Sequence, residues 1–163
     1  MSELTYPEFL RLATLRLAAG EDVPIDDSWR VLEESLVLDQ DFDVAADSLF
    51  SFAAHRRAGV RVAGVARTGE VVQLRLGPLA SPCLILVAER SADRAVLVYG
   101  TLPGHVERGE EAFIIERVGS QVVGRSVAFS QHAWWLARLA APFARMVQTW
   151  VTRRYLRGMG ATP

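Results

Sequence analysis

Between Val60 and Ser130 the chain passes through six strand-like apolar runs, and the stretches joining them are too short to hold a helix. Parallel neighbours need a crossover of a dozen or more residues, whereas antiparallel neighbours need only a turn. Residues 60–65, 71–77, 83–90, 95–102, 111–118 and 122–130 are therefore expected to form an antiparallel meander. Thr68-Gly69, Ser91-Ala92-Asp93 and Gly119-Ser120 mark its tight turns, and 77–82 reads as a loop or bulge. In 71–77, Val72, Leu74 and Leu76 alternate with Gln73 and Arg75, the pattern of a strand with one buried face. The runs LILVA and AVLVY suit strands buried on both faces. Phe113 and Ile115 share a face, while Gly124, Ser126 and Ala128 share one on the next strand. Small residues opposite large ones leave room for a cavity, or for the close approach of a helix.

The flanks add one strand and three helices. Residues 29–39 alternate with neither face wholly apolar, which suits an edge strand or one lining a polar-flecked cavity, with a helix as the alternative. Residues 43–58 read as a helix capped by Asp43 and stopped by Gly59, with His55, Arg56 and Arg57 at the negative end of its dipole. Residues 7–19 read as a short helix starting at Pro7 and ending at Gly20. From 131 to 156, Trp135, Leu139, Phe143, Met146 and Trp150 recur at steps of four and three, the stripe of a long amphipathic helix. Ser130 is the expected cap, and Pro142 should kink or split the helix. Residues 158–163 are expected to fray.

At 163 residues this suits a single domain: an N-terminal extension (1–28), a core (29–157) and a short tail. The formal net charge is −1, so the chain has no positive excess for a nucleic-acid backbone. It contains no Lys, which removes Schiff-base chemistry. Cys83 is the single cysteine and lies in an apolar run, the setting of a buried core thiol. No basic-then-apolar leader and no unbroken membrane-length run occurs, so the expected address is the cytoplasm. HExxH, GxSxG and GxGxxG are absent, and neither a metal nor a cofactor is implied.

The stretch YGTLPGHVERGEEAF, residues 99–113, crowds Gly, Pro, His, Arg and carboxylates between two apolar runs. Together with LTYPE near the start, HRRAGVRV at 55–62 and the closing run from AFSQHAWWLARLAAPFARMVQ to RRYL, it resembles the uncharacterised bacterial and plant family named domain of unknown function 1990. That family usually carries a Gly-containing segment after its Tyr-Pro, where this chain has FLRLATLR. The element order also resembles the helix-grip, START-like superfamily: an α+β fold whose curved antiparallel sheet, here of six to seven strands, wraps a long C-terminal helix. That resemblance implies a cavity between sheet and helix that binds an apolar or amphipathic small molecule. The alternatives are an enzyme of the polyketide-cyclase or hydrolase type, and an interaction module with a filled core, for which an exposed Trp134 would supply a self-association surface. The loop from Leu102 to Glu110 is expected at one end of the sheet, either as plain structure or as a gate. The candidate ligand-contacting residues are Tyr99, His105, Glu107, Arg108, Glu110, Phe113, Trp134 and Trp135. His105, oriented by Glu107 or Glu110, is the candidate base under the enzyme reading.

Overall fold

The computed structural model describes residues 4–132 together with Arg157 and Met159. Seven strands form one curved sheet: β1 (Arg30–Leu38), β2 (Arg61–Ala63), β3 (Val71–Leu76), β4 (Leu79–Arg90), β5 (Arg94–Thr101), β6 (Glu107–Val118) and β7 (Gln121–His132). Their order is β1-β7-β6-β5-β4-β3-β2, with every neighbouring pair antiparallel. Short connections make β2 to β7 a meander. The one long crossing runs from β1, at one edge, to β2, at the other. It carries α1 (Phe42–Phe50) and α2 (Ala53–Arg57) over one face, here called the inner face.

Parity along the strands decides what each face buries. Val72, Leu74, Cys83, Ile85, Leu97, Tyr99, Phe113 and Ile115 point inward, against Phe42, Leu49 and Phe52 of the crossing. Leu86, Val96, Val98, Ala112, Ile114 and Phe129 point the other way. There they meet the N-terminal segment: a 3-10 turn (Glu8–Leu10), a short helix α0 (Ala13–Ala18), and Leu4, Tyr6 and Val23 around them. Strand β5 is thus apolar on both sides, as its run AVLVY implied. In β4, of the run LILVA, Ile85 is buried on one face and Leu86 on the other, and β6 is also apolar on both sides. Each large side chain so buried contributes about 1.5–3 kcal/mol before ordering costs.

Several boundaries differ from the sequence reading. The helix expected over 7–19 is broken at Leu12, which takes a left-handed φ of 59°. The helix expected over 43–58 is broken at Phe52, with φ 58°. Phe52 is buried and its ring stands edge-on to His55 at 5.2 Å, so packing holds a conformation that propensity disfavours. Asp43 is not the cap of α1; Asp41 precedes the helix, and Asp43 instead receives Arg90 at 2.7 Å. Strand β4 starts at Leu79, absorbing the expected loop. Pro82 fits because its carbonyl serves Leu102 N–H while its missing donor falls before the β4–β5 ladder begins at Cys83.

Ser130 caps no helix: β7 continues through Gln131 and His132, paired with Arg108 and Glu107 of β6. Glu107 to Glu110 likewise belong to β6, so the expected loop shrinks to the turn around Gly104, whose φ is +99°. The long helix expected over 131–156, with Trp134, Trp135 and Trp150, otherwise lies outside the described residues. Met159, assigned to the tail, is fully buried in the inner-face core. Among the described residues, no helix is long and apolar enough to cross a membrane.

Candidate functional site

Because β6 alternates, the neighbouring carboxylates Glu110 and Glu111 face opposite sides of the sheet. Their surroundings differ accordingly.

Glu110 points outward under the N-terminal segment and is 3% exposed. It accepts from the Tyr6 hydroxyl at 2.7 Å, Leu12 N–H at 2.8 Å, Thr14 N–H at 3.1 Å and the Thr14 hydroxyl at 2.5 Å. Two of these donors are backbone amides at the start of α0, groups that a helix leaves unsatisfied. Glu110 caps that helix from another strand, which accounts for the left-handed Leu12. Burial and the Glu110 charge hold the Tyr6 phenol far above its usual range, so it remains a donor. Around this centre, Thr5 N–H bonds the Thr101 carbonyl, and Arg108 Nε donates to the Thr5 carbonyl. A Cβ on Gly100 would lie 2.5 Å from the Tyr6 hydroxyl oxygen, so the tyrosine fits only over a glycine. The LTYPE and YGTLPGHVERGEE motifs are the two halves of this one junction.

Glu111 points inward, paired across β6–β7 with Ala128 and across β5–β6 with Tyr99. Tyr99 Oη donates to Glu111 Oε2 at 3.1 Å and Ser126 Oγ to Glu111 Oε1 at 3.2 Å. Tyr99 Oη also lies 3.5 Å from His55 Nε2, and the Tyr99, His55 and Phe113 rings pack together at 5.3–6.1 Å. Burial raises the Glu111 carboxyl to about 7; the two hydroxyl bonds oppose the rise and the Glu107 charge adds to it. Burial also raises Glu107, against the pull of Arg30. It lowers His55 to about 3 and His105 to about 4, so both imidazoles are neutral. Cys83 is fully buried, and burial followed by the Glu111 charge pushes its thiol up, so it stays protonated.

Tyr99, Glu111, Glu107 and His105 border a pocket of about 50 Å³ at the end of the inner face. Tyr99 and Thr101 line it from β5, His105 from the turn, Glu107, Gly109 and Glu111 from β6, and Ala128 and Ser130 from β7. The small residues of β7 divide in their roles. At Gly124 the space is taken by Leu38, whose methyls lie 3.3 Å from where a Cβ would stand. At Ala128 it stays open as the pocket.

Of the candidates from sequence, Tyr99, His105 and Glu107 come together at the pocket. Glu110 borders it from a strand whose side chain at that position faces outward, and Arg108 is bonded to the N-terminal segment. Phe113 is fully buried behind Tyr99. Trp134 and Trp135 are not among the described residues. His105 Nδ1 accepts Glu107 N–H at 2.9 Å, which places its own proton on Nε2. It therefore presents a donor, and acting as a base would cost it that bond. Glu111 and Thr101 are not among those candidates, whereas Ala128 belongs to the small-residue face expected to leave room for a cavity. Parity held the signal: Glu111 lies two before Phe113 and four before Ile115 on the same strand face.

Replacing Glu111 with Gln isolates the cost of this buried charge. A carboxyl whose folded value is about 7, against an ordinary 4.5, keeps its proton in the folded chain after the unfolded chain has lost it. Its contribution is full below the ordinary value and is lost as pH rises through about 7. Glu111→Gln should thus gain stability over the native chain from pH 5 to pH 8, read as a growing difference in urea midpoint. A constant difference would mean that Glu111 titrates normally.

A curved, seven-stranded antiparallel sheet with its helical crossing on one face makes the described part of the chain an α+β fold. Hypothetical protein jhp0584 from Helicobacter pylori superposes with a TM-score of 0.62 at 10% identity, covering 98% of this chain and 95% of that one. Norcoclaurine synthase from Thalictrum flavum, in complex with dopamine and hydroxybenzaldehyde, gives 0.50 at 10% identity, covering 79% and 87%. The family model described as Domain of unknown function (DUF1990) matches residues 11–158, and the chain belongs to that family. A UPF0548 protein of Deinococcus radiodurans is 42% identical over 66 residues, which are 40% of this chain and 33% of that relative.

Proposed function

We propose that the chain binds an amphipathic small molecule, with its polar end in the Tyr99–Glu111 pocket and its apolar part between the inner face and the C-terminal segment. The observation that carries this reading is a polar pocket opening at the end of an otherwise apolar sheet face. About 50 Å³ admits a head group the size of three or four waters, not a whole ligand. The finer architecture this needs is a long C-terminal helix closing the inner face, as in the fold the chain resembles. A helix-grip neighbour in complex with two aromatic small molecules agrees with such a use of the fold.

Native mass spectrometry of freshly purified protein should detect a retained ligand. A panel of amphiphiles should raise the melting temperature, and Ala128→Leu, which fills the pocket, should abolish the shift. A ligand-free spectrum with no shift across the panel would sink the proposal.

A second reading, catalysis of the polyketide-cyclase or hydrolase kind, draws on the Glu111 carboxyl near 7, a value suited to proton transfer at neutral pH. Under it, Glu111→Gln should remove turnover while His105→Ala spares most of it. Turnover surviving Glu111→Gln would end that reading.

A further inference from the structure

We infer that the head group taken by this pocket is a protonated amine, held by Glu111. The inference rests on the binding function proposed above and specifies its ligand class.

The described surroundings of Glu111 supply hydroxyls and no cation. Oε2 receives Tyr99 and Oε1 receives Ser126, while the ion pairs of the described residues engage other carboxylates. Each carboxylate oxygen accepts two hydrogen bonds, so each Glu111 oxygen keeps a lone pair beside the pocket. Tyr99 Oη spends its proton on Glu111, so it offers a ligand no donor. Glu107, the second carboxylate at the pocket, adds negative potential, although Arg30 acts on it. The two histidines near the pocket are neutral, as their burial requires, and bring no positive charge. A carboxylate ligand would therefore meet like charge in a desolvated site. An alcohol would find an acceptor but leave the buried charge uncompensated. An ammonium group carries three donors and the missing charge, and it fits a volume of about 50 Å³.

The test uses the full chain at pH 8, above the Glu111 value of about 7, with three ligands that differ only in head group: n-octylamine, 1-octanol and octanoate, each below its aggregation limit. Calorimetry should find octylamine binding about tenfold tighter than octanol, the step expected of a charge-assisted bond over a neutral one. Octanoate should bind weakest. Glu111→Gln should bring octylamine and octanol within about twofold of each other, with octanol little changed. Octanol matching or exceeding octylamine in the native chain overturns the amine assignment while leaving the pocket reading intact. This comparison needs no substitution, so it stands even if Glu111→Gln folds poorly. A preference that survives Glu111→Gln but disappears in Glu107→Gln overturns the role of Glu111. Binding by none of the three overturns both the amine assignment and the pocket reading beneath it.

Discussion

Gly109→Ala is expected to leave little folded protein. A Cβ at this position would stand 2.0 Å from the Phe129 carbonyl oxygen and 2.9 Å from Ser130 Cα, and the backbone holds a φ of +152°. Both obstacles are main chain, so no rotamer change relieves them. The Gly109 N–H and carbonyl both bond the Thr101 hydroxyl, at 2.9 and 3.1 Å, where the β5–β6 ladder has ended at Gly100 and Glu110. A methyl group must therefore part β6 from β7 and break the Thr101 bridge together. The cost should exceed about 4 kcal/mol, the range reserved for backbone clashes and lost networks. Gly119→Ala is the control: it also has a positive φ but meets no atom within 4 Å, and should cost only about 1 kcal/mol. Equal denaturation midpoints for the two variants would show that the close approach at Gly109 is not maintained in solution.

Glu110→Ala should be the second most damaging change. It strands the Tyr6 hydroxyl, the Leu12 and Thr14 amides and the Thr14 hydroxyl, and removes what holds Leu12 in its left-handed state. Each buried donor left without an acceptor costs about 1–3 kcal/mol, so the total should be several kcal/mol. Tyr6→Phe, which deletes one neutral donor, should cost about 1–2 kcal/mol. The double variant should cost clearly less than their sum, because the tyrosine has no partner left to lose. Strict additivity would mean that the two groups do not interact. Amide exchange in α0 should rise in Glu110→Ala before it rises in β6. Adjacent carboxylates thus predict opposite results: removing the charge at Glu110 harms, and removing it at Glu111 helps above neutral pH.

The same pair marks the limit of what the sequence made legible. The antiparallel order, the edge strand at β1 and the doubly buried β5 followed from alternation and turn spacing alone. Glu107 to Glu110 read as loop because charged residues and glycine signal exposure when read singly. What makes them strand is pairing with Phe129 to His132 of β7, covered on the outer face by Thr5, Tyr6 and Thr14 from about a hundred residues upstream, and no local pattern records those contacts. Leu12 and Phe52 fail for a related reason, since a left-handed leucine or phenylalanine is chosen by tertiary packing against propensity. Glu111 was within reach. Had the face assigned to Phe113 and Ile115 been continued two residues back, the buried carboxylate would have emerged beside Tyr99.

Strand β1 is made well before its register partners, from Val122 to Ser130, with the whole meander between them. During synthesis, Val31, Leu32, Leu36 and Val37 must wait with open hydrogen-bonding edges until the whole meander has emerged. Such high contact order slows folding and exposes a sticky ribbon to other nascent chains. The vulnerable moment for this protein is therefore its birth on the ribosome, and yield in cells should respond to translation speed and chaperone supply more than to the stability of the finished sheet.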